Sequence, residues 1–176
     1  MIQVSLKGEP REFESGITVA EVAKSIGMGL YKAACAGKLN GKVVDLRTVL
    51  TENCELEILT FDQVDGKRAY WHTTSHIMAQ AVQHLFPDAK FAIGPAIDNG
   101  FYYDFDLPRT LTPEDLTAIE TEMKKIIKED IPLERVEMSA QDALKLMKDL
   151  HQDYKVELIE EHSGKGEKKS CKRTHP

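Results

Sequence analysis

The first 60 or so residues switch period twice. Ile2, Val4 and Leu6 are separated by polar residues, as in a strand with one face buried. Lys7-Gly8-Glu9-Pro10 turns the chain into a second extended piece around Phe13. Thr18 and Glu21 then have the spacing of a capping box, and Val19, Val22, Ala23 and Ile26 fall on one helical face. Gly27 and Gly29 end that helix. Asn40-Gly41 signals a type I′ hairpin between residues 33–39 and Val43-Val44. A last strand alternates Leu56 and Ile58 with Glu55 and Glu57. Periodicity alone therefore predicts a small α+β domain over residues 1–61. The polar stretch 62–70, which contains Gly66, reads as a linker.

The second half opens with a predicted helix over residues 71–86, stopped by Pro87. Residues 90–97 and 101–105 are extended runs joined through Asp98-Asn99-Gly100, a second hairpin signal. Thr112 caps a helix with Pro113 at its first position and Asp115 three residues after the cap. Its apolar stripe is Leu116, Ile119, Met123, Ile126 and Ile127. Residues 133–138 and 156–159 read as strands. Between them Ser139 caps a helix carrying Ala143, Leu144, Met147 and Leu150. From Ser163 onward five basic residues and one acidic residue occur with almost nothing apolar, so residues 163–176 are expected to be a disordered tail.

Composition narrows the function classes. Hydrophobic residues make up 41% of the 176 and charged residues 30%, the balance of a soluble globular protein. No apolar run approaches the roughly 20 residues that span a bilayer, so no membrane partner is expected. The N-terminus lacks the pattern of a signal peptide. Cys35, Cys54 and Cys171 form an odd set without framework spacing, which fits a reduced, cytoplasmic setting. The net charge of −6 argues against a general nucleic-acid binder. Neither half is basic: residues 1–61 carry 7 Lys/Arg against 8 Asp/Glu, and residues 62–176 carry 16 against 21. Any RNA contact must come from local patches or from segments beyond this chain.

The sharpest chemical feature is His72-Thr73-Thr74-Ser75-His76. Histidines four apart lie on one helical face, close enough to hold a metal or a reacting group together. The centre of the apolar arc of Ile77, Met78, Ala81, Val82 and Leu85 lies well over a quarter turn from both. The pair is therefore expected to face a cleft or solvent, with ordinary surface histidines as the competing reading. The glutamate of a metalloprotease helix is missing. His84 sits at the edge of the arc and reads as structural, and His151 and His162 as solvated. Cys171 and His175 repeat the four-residue spacing, which makes His72, His76, Cys171 and His175 a weak candidate zinc set. Coincidence within a basic tail is favoured. In the hairpin, Phe101, Tyr103 and Phe105 should share one strand face. Phe101 and Phe105 read as core, whereas the Tyr103 hydroxyl wants a polar partner and suits a site. Gly164-Lys165-Gly166 lacks both the spacing and the strand–helix context of a phosphate loop.

With these residues in view, the chain resembles the N-terminal region of bacterial threonyl-tRNA synthetases. The resemblance rests on a ubiquitin-like TGS-type module, then His-Thr-Thr-Ser-His, then Ala-Ile-Gly-Pro-Ala-Ile-Asp-Asn-Gly-Phe-Tyr-Tyr-Asp-Phe, and runs over about residues 1–162. It implies an α+β fold: a β-grasp module at 1–61, followed by part of an α+β editing domain at 71–162 bearing the His-x-x-x-His helix. In that family the editing domain hydrolyses serine mischarged onto threonine tRNA. One methyl group separates the two amino acids, worth roughly 1–3 kcal/mol in a pocket, so a second hydrolytic sieve is needed. By the resemblance His72, His76 and Lys155 are catalytic, and Tyr103, Gly94 and Pro95 bind substrate. The partners implied are threonine tRNA and its mischarged seryl form. Zinc, ATP, magnesium and a homodimer interface are expected in an aminoacylation core absent here, and no cofactor in this part. The family's Cys-Arg-Gly-Pro-His motif is matched only loosely by Cys171-Lys172-Arg173-Thr174-His175. Two other readings stand beside this one. Similar modules open certain bacterial nucleoside kinases, and TGS-type domains also serve as non-catalytic RNA-binding or regulatory modules.

Overall fold

A computed structural model of the chain describes residues 1–163 apart from Leu133 and Arg135. Its contacts divide into two compact units, the first formed by Met1–Ser75 with Pro95–Tyr102 and the second by His76–Gly94 with the residues from Tyr103 on.

The first unit is built on β1 (Ile2–Leu6), β2 (Glu9–Phe13), β3 (Ile17–Thr18), α1 (Val19–Ile26), α2 (Met28–Ala33), β4 (Ala34–Leu39), β5 (Lys42–Val44), β6 (Val49–Leu50) and β7 (Cys54–Thr60). Five strands form one sheet in the order β2-β1-β7-β4-β5, and β3 pairs with β6 apart from it. The central pair, β1 and β7, runs parallel, with Val4 opposite Cys54 and Leu6 opposite Leu56; the other neighbours are antiparallel. A hairpin, a helix, and a return to the sheet centre beside the first strand is the β-grasp order that the resemblance implies.

Local signals fix these elements. Lys7 and Gly8 both take positive φ, 53° and 85°, as a two-residue primed turn requires, and Asn40 and Gly41 do the same at 47° and 82°. Pro10 sits on β2, an edge strand, where a missing N–H is tolerated. The capping box is formed: Thr18 accepts from the Glu21 N–H, and the Glu21 carboxylate accepts from the Thr18 N–H at 2.8 Å. Val19, Val22 and Ala23 of α1 are fully buried, the two valines against Ile2, Val4, Leu50 and Leu56. Gly37 of β4 is what lets α1 approach so closely, since a Cβ there would meet Val19 Cγ1 at 2.7 Å. The short helix α2 directly after Gly27 was not anticipated.

The anticipated linker is largely helical. The long helix α3 (Val64–Leu85) begins seven residues before Trp71 and runs through the division between the units. Gln63 organises its start, its side chain accepting from the Thr60 N–H at 2.7 Å and its N–H donating to the Thr60 carbonyl at 3.1 Å. Gly66 is present for space rather than flexibility, because a Cβ there would collide with the Thr60 carbonyl. Phe61, Tyr70 and Trp71 pack edge to face at 5.1–5.6 Å, and Phe101 meets Trp71 at 5.8 Å.

Beyond α3 the extended runs break into two-residue strands, β8 (Lys90–Phe91), β9 (Ala96–Ile97), β10 (Gly100–Phe101) and β11 (Phe105–Asp106). In the first unit β9 pairs with β10, and the two-residue turn is Asp98-Asn99, with Gly100 opening the return strand at φ 151°. In the second unit β8 pairs with β11, followed by α4 (Pro113–Glu129), α5 (Ala140–Asp149) and α6 (Asp153–His162).

Here the core is Ala81, Val82, Ala89, Phe91, Ile119 and Ile126, with Tyr103 and Phe105 packed against it. The Thr112–Asp115 capping box, Pro113 in the first turn and the Ser139 cap all form. Leu116 and Ile127, expected in the α4 stripe, are exposed. Two predicted strands fail. The described residues of 133–138 lie in no strand, and Val136 and Met138 are exposed. Residues 156–159 are helical, inside α6. Lys155, Val156, Ile159 and Glu160 are half-buried while Glu157 and Leu158 are exposed, a helical period that a four-residue apolar run cannot announce.

Candidate active site

Within the second unit, one cavity of about 220 Å³ gathers three of the sequence-derived candidates, His76, Tyr103 and Lys155. Helix α3 supplies His76, Ala79, Gln80 and Gln83, spaced three and four apart so that all share a face. The intervening Ile77, Met78, Ala81 and Val82 turn to the core, where Ala81 and Val82 are fully buried. This outward face of α3 is the one the helical wheel assigned to His76. Phe91 and Tyr103 form the aromatic wall, Met147 and Leu150 come from the end of α5, and Gln152 and Lys155 from the start of α6.

Tyr103 is held from three sides. Its ring stacks on Phe105 at 4.9 Å, meets Phe91 edge-on at 6.1 Å and lies against Gly94, where any Cβ would overlap it. Burial pushes the Tyr103 phenol up from its ordinary range, so at neutral pH it remains an O–H donor.

The α5–α6 corner places Lys155. His151 takes φ 53°, a left-handed residue between the two helices. Gln152 follows with its N–H donating to the Met147 carbonyl at 2.9 Å, and its own carbonyl accepts from the Lys155 and Val156 N–H groups at 3.0 and 3.1 Å. Lys155 thus sits in the first turn of α6, half-buried, one turn from Gln152. Lys90 Nζ, 3.0 Å from Asp153 Oδ2, ties β8 to the same turn.

His76, Tyr103 and Lys155 are brought together, with Gly94 behind the tyrosine. His72 and Pro95 are not: both belong to the first unit and neither lines this cavity. His72 is exposed on α3, and its carbonyl accepts from Ser75 Oγ at 2.7 Å. His84 pairs with Glu122 at 2.8 Å across α3 and α4, and the bond holds the Glu122 carboxyl below its ordinary range. His151 and His162 are exposed as expected. Cys171 and His175 lie outside the described residues. Among the described residues no group of three His, Cys, Asp or Glu side chains could hold a metal. Sequence reasoning missed Gln80 as a wall residue, although its position four after His76 was legible. It also missed Met147, Leu150 and Gln152, whose placement depends on the corner at His151.

Residues 2–60 match the TGS domain family. The threonine-tRNA ligase of Caldanaerobacter subterraneus subsp. tengcongensis is 62% identical over 154 residues, 88% of this chain and 24% of its own length. That of Acetivibrio thermocellus is 56% identical over 160 residues, 90% of this chain and 25% of its own. The Clostridium tetani ligase is 52% identical over 162 residues, 92% of this chain and 25% of its own. Over about nine-tenths of its length the chain is similar to threonine-tRNA ligases. It spans about a quarter of the length of these relatives. No helix among the described residues is long and apolar enough to cross a membrane.

Proposed function

We propose that the cavity of the second unit hydrolyses the ester of a wrongly attached serine on threonine tRNA. The observation that carries this is the convergence of His76, Tyr103 and Lys155, from two helices and the segment before β11, on one cavity of amino-acid size. An aminoacyl ester falls to water when three things are supplied: a base for the water, a cation or donor for the developing oxyanion, and a proton for the leaving hydroxyl. His76 takes the proton from the attacking water. Lys155 and the protonated Tyr103 hydroxyl supply the donors. The new bond joins water oxygen to the carbonyl carbon, the carbonyl–ribose oxygen bond breaks, and the imidazolium returns its proton to the departing 2′ or 3′ ribose oxygen, which leaves as a hydroxyl. No side chain is acylated. Discrimination against threonine follows from rigidity: Tyr103 cannot retreat through Gly94, so the wall does not yield to an added methyl group.

The lining contains one imidazole and neither thiol nor carboxylate, a poor donor set for zinc. The reading therefore assigns acid–base chemistry to these side chains. It leaves aminoacylation, with its ATP and magnesium, the grip on the tRNA body and any dimer contact to parts of the ligase that this chain does not match. The acidic balance of the chain agrees with that division. The test is hydrolysis of purified Ser-tRNA by a ligase carrying this region. His76→Ala and Lys155→Ala should each slow it by roughly 10²–10⁴-fold while threonine charging holds. Equal loss of both activities would assign these residues to the fold and overturn the reading.

A further inference from the structure

The cavity wall carries three side-chain amides, Gln80, Gln83 and Gln152, to which the hydrolytic step gives no role. Their settings differ. Gln152 is buried and Gln83 exposed, whereas Gln80 is half-buried. The burial of Gln80 is informative because of its place on α3. Ile77, Ala81 and Val82 take the core side of that helix. Gln80, four residues after His76, lies away from them on the face shared with His76 and Gln83. A side chain on that face stands in solvent unless another element covers it. Here the cover comes from across the cavity, from Met147 and Leu150 at the end of α5 and Lys155 at the start of α6. Among the described residues the Gln80 amide makes no hydrogen bond, yet neither of its polar atoms is shut off from solvent. Whichever way the amide is turned, it presents an open donor and an open acceptor.

We propose that the Gln80 amide bonds the side-chain hydroxyl of the seryl group, and that this bond underlies the rejection of threonine. The assignment rests on the hydrolytic reading above. A rigid wall at Tyr103 excludes a methyl group only if the methyl is made to point at it. Without an anchor, a side chain turns among three staggered positions about its Cα–Cβ bond, and threonine would choose one that spares its methyl. Holding the hydroxyl fixes that torsion, and the chirality of threonine then leaves its methyl a single direction. A side-chain amide suits the task. It donates and accepts, as a hydroxyl does, and it is neutral. A carboxylate at position 80, one turn from His76, would favour the protonated imidazole and take away the base. Gln80 is thus a specificity-determining residue that meets the substrate away from the reacting atoms.

The test compares purified Ser-, Ala- and Thr-esters of the same tRNA as substrates of a ligase carrying this region. The wild type should cleave the seryl ester about 10-fold faster than the alanyl ester, as one neutral hydrogen bond allows, and should leave the threonyl ester intact. Gln80→Met keeps the length of the side chain and its helix propensity but removes both hydrogen-bonding atoms. It should bring seryl hydrolysis down to the alanyl rate, leave the alanyl rate unchanged and open the threonyl ester to cleavage. An unchanged preference for serine over alanine in Gln80→Met would overturn this proposal and leave the hydrolytic reading standing. Equal loss on the seryl and alanyl esters would do the same, by assigning Gln80 to the fold. A lost preference with the threonyl ester still intact would refute the anchoring of the torsion. No cleavage of the seryl ester by the wild type would overturn both readings. Should Gln80→Met fold poorly, the wild type decides alone, since equal rates on the seryl and alanyl esters would leave no hydroxyl contact to assign.

Discussion

The first unit closes its core with a five-stranded sheet and a capped helix, and the buried set (Ile2, Val4, Val19, Val22, Leu50, Leu56) comes entirely from residues 1–56. Among the described residues of the second unit the only strand pair is two residues long, and the core is assembled from α3, β8 and α4. Its helices leave Leu116, Ile127, Leu146, Leu150 and Leu158 exposed. The candidate chemistry lies in this second, less enclosed unit. Helix faces meeting short strands and a tight corner leave the cavity that His76, Tyr103 and Lys155 line.

This contrast can be broken most forcefully at the first core. Leu56→Ala should cost about 2–5 kcal/mol, the range for emptying a fully packed leucine site. The loss should appear as a lowered thermal transition of the first unit alone, followed by the amides of β1 and β7. An equal shift in the amides around Phe91 and Ile119 would mean that the two cores melt as one. Next in size is Gly66→Ala. The added methyl group meets the Thr60 carbonyl, and overpacking of this kind costs about 1–3 kcal/mol. Hydrogen exchange should show the opening of the first turns of α3. If Gly66→Ala instead stabilises the chain, as helix propensity alone would have it, the close approach is not a constraint.

A finer comparison uses the two capping boxes, one in each unit. Thr18→Ala and Thr112→Ala remove equivalent bonds and should each cost about 1 kcal/mol in denaturant melts. A larger cost at Thr18 would measure how much more the sheet-backed helix depends on its start. The smallest effect is in pH. Arg109 first, then the Thr112 N–H, hold the Asp115 carboxyl far below its ordinary range. A depressed folded pKa stabilises above the unfolded value, about 3.9, and the stabilisation is lost as pH falls through the folded one. Carbon-13 titration of the Asp115 carboxyl should show no protonation near pH 4. Arg109→Gln should move its midpoint upward toward the ordinary value.

How legible each unit was follows the same contrast. Alternation, two Xaa-Gly turns and a capping box specified β1, β2, α1, β4, β5 and β7 of the first, because hairpins and helix caps are written in neighbouring residues. The TGS match over residues 2–60 and the ligase relatives bear out the resemblance seen in the motifs. In the second, caps at Thr112 and Ser139 and the outward face of α3 were readable, and His76, Tyr103 and Lys155, which the resemblance names, line one cavity. The strand expected at 156–159 failed because its apolar run fits either period. Gln152 was invisible, since its burial is decided by the left-handed His151 rather than by any pattern around it. The linker expected at 62–70 misread Gly66, whose missing side chain makes room for a carbonyl.

Gly94 makes the same kind of room, and for the Tyr103 ring. One of its two α-hydrogens occupies the position where a side chain would meet the aromatic carbons, so it sits within the ring's magnetic field. Its proton resonance should therefore stand apart from those of the other glycines and respond whenever the tyrosine shifts. The glycine that confines the aromatic wall also furnishes an intrinsic spectroscopic label, through which occupation of the cavity can be followed without altering a single atom of the protein.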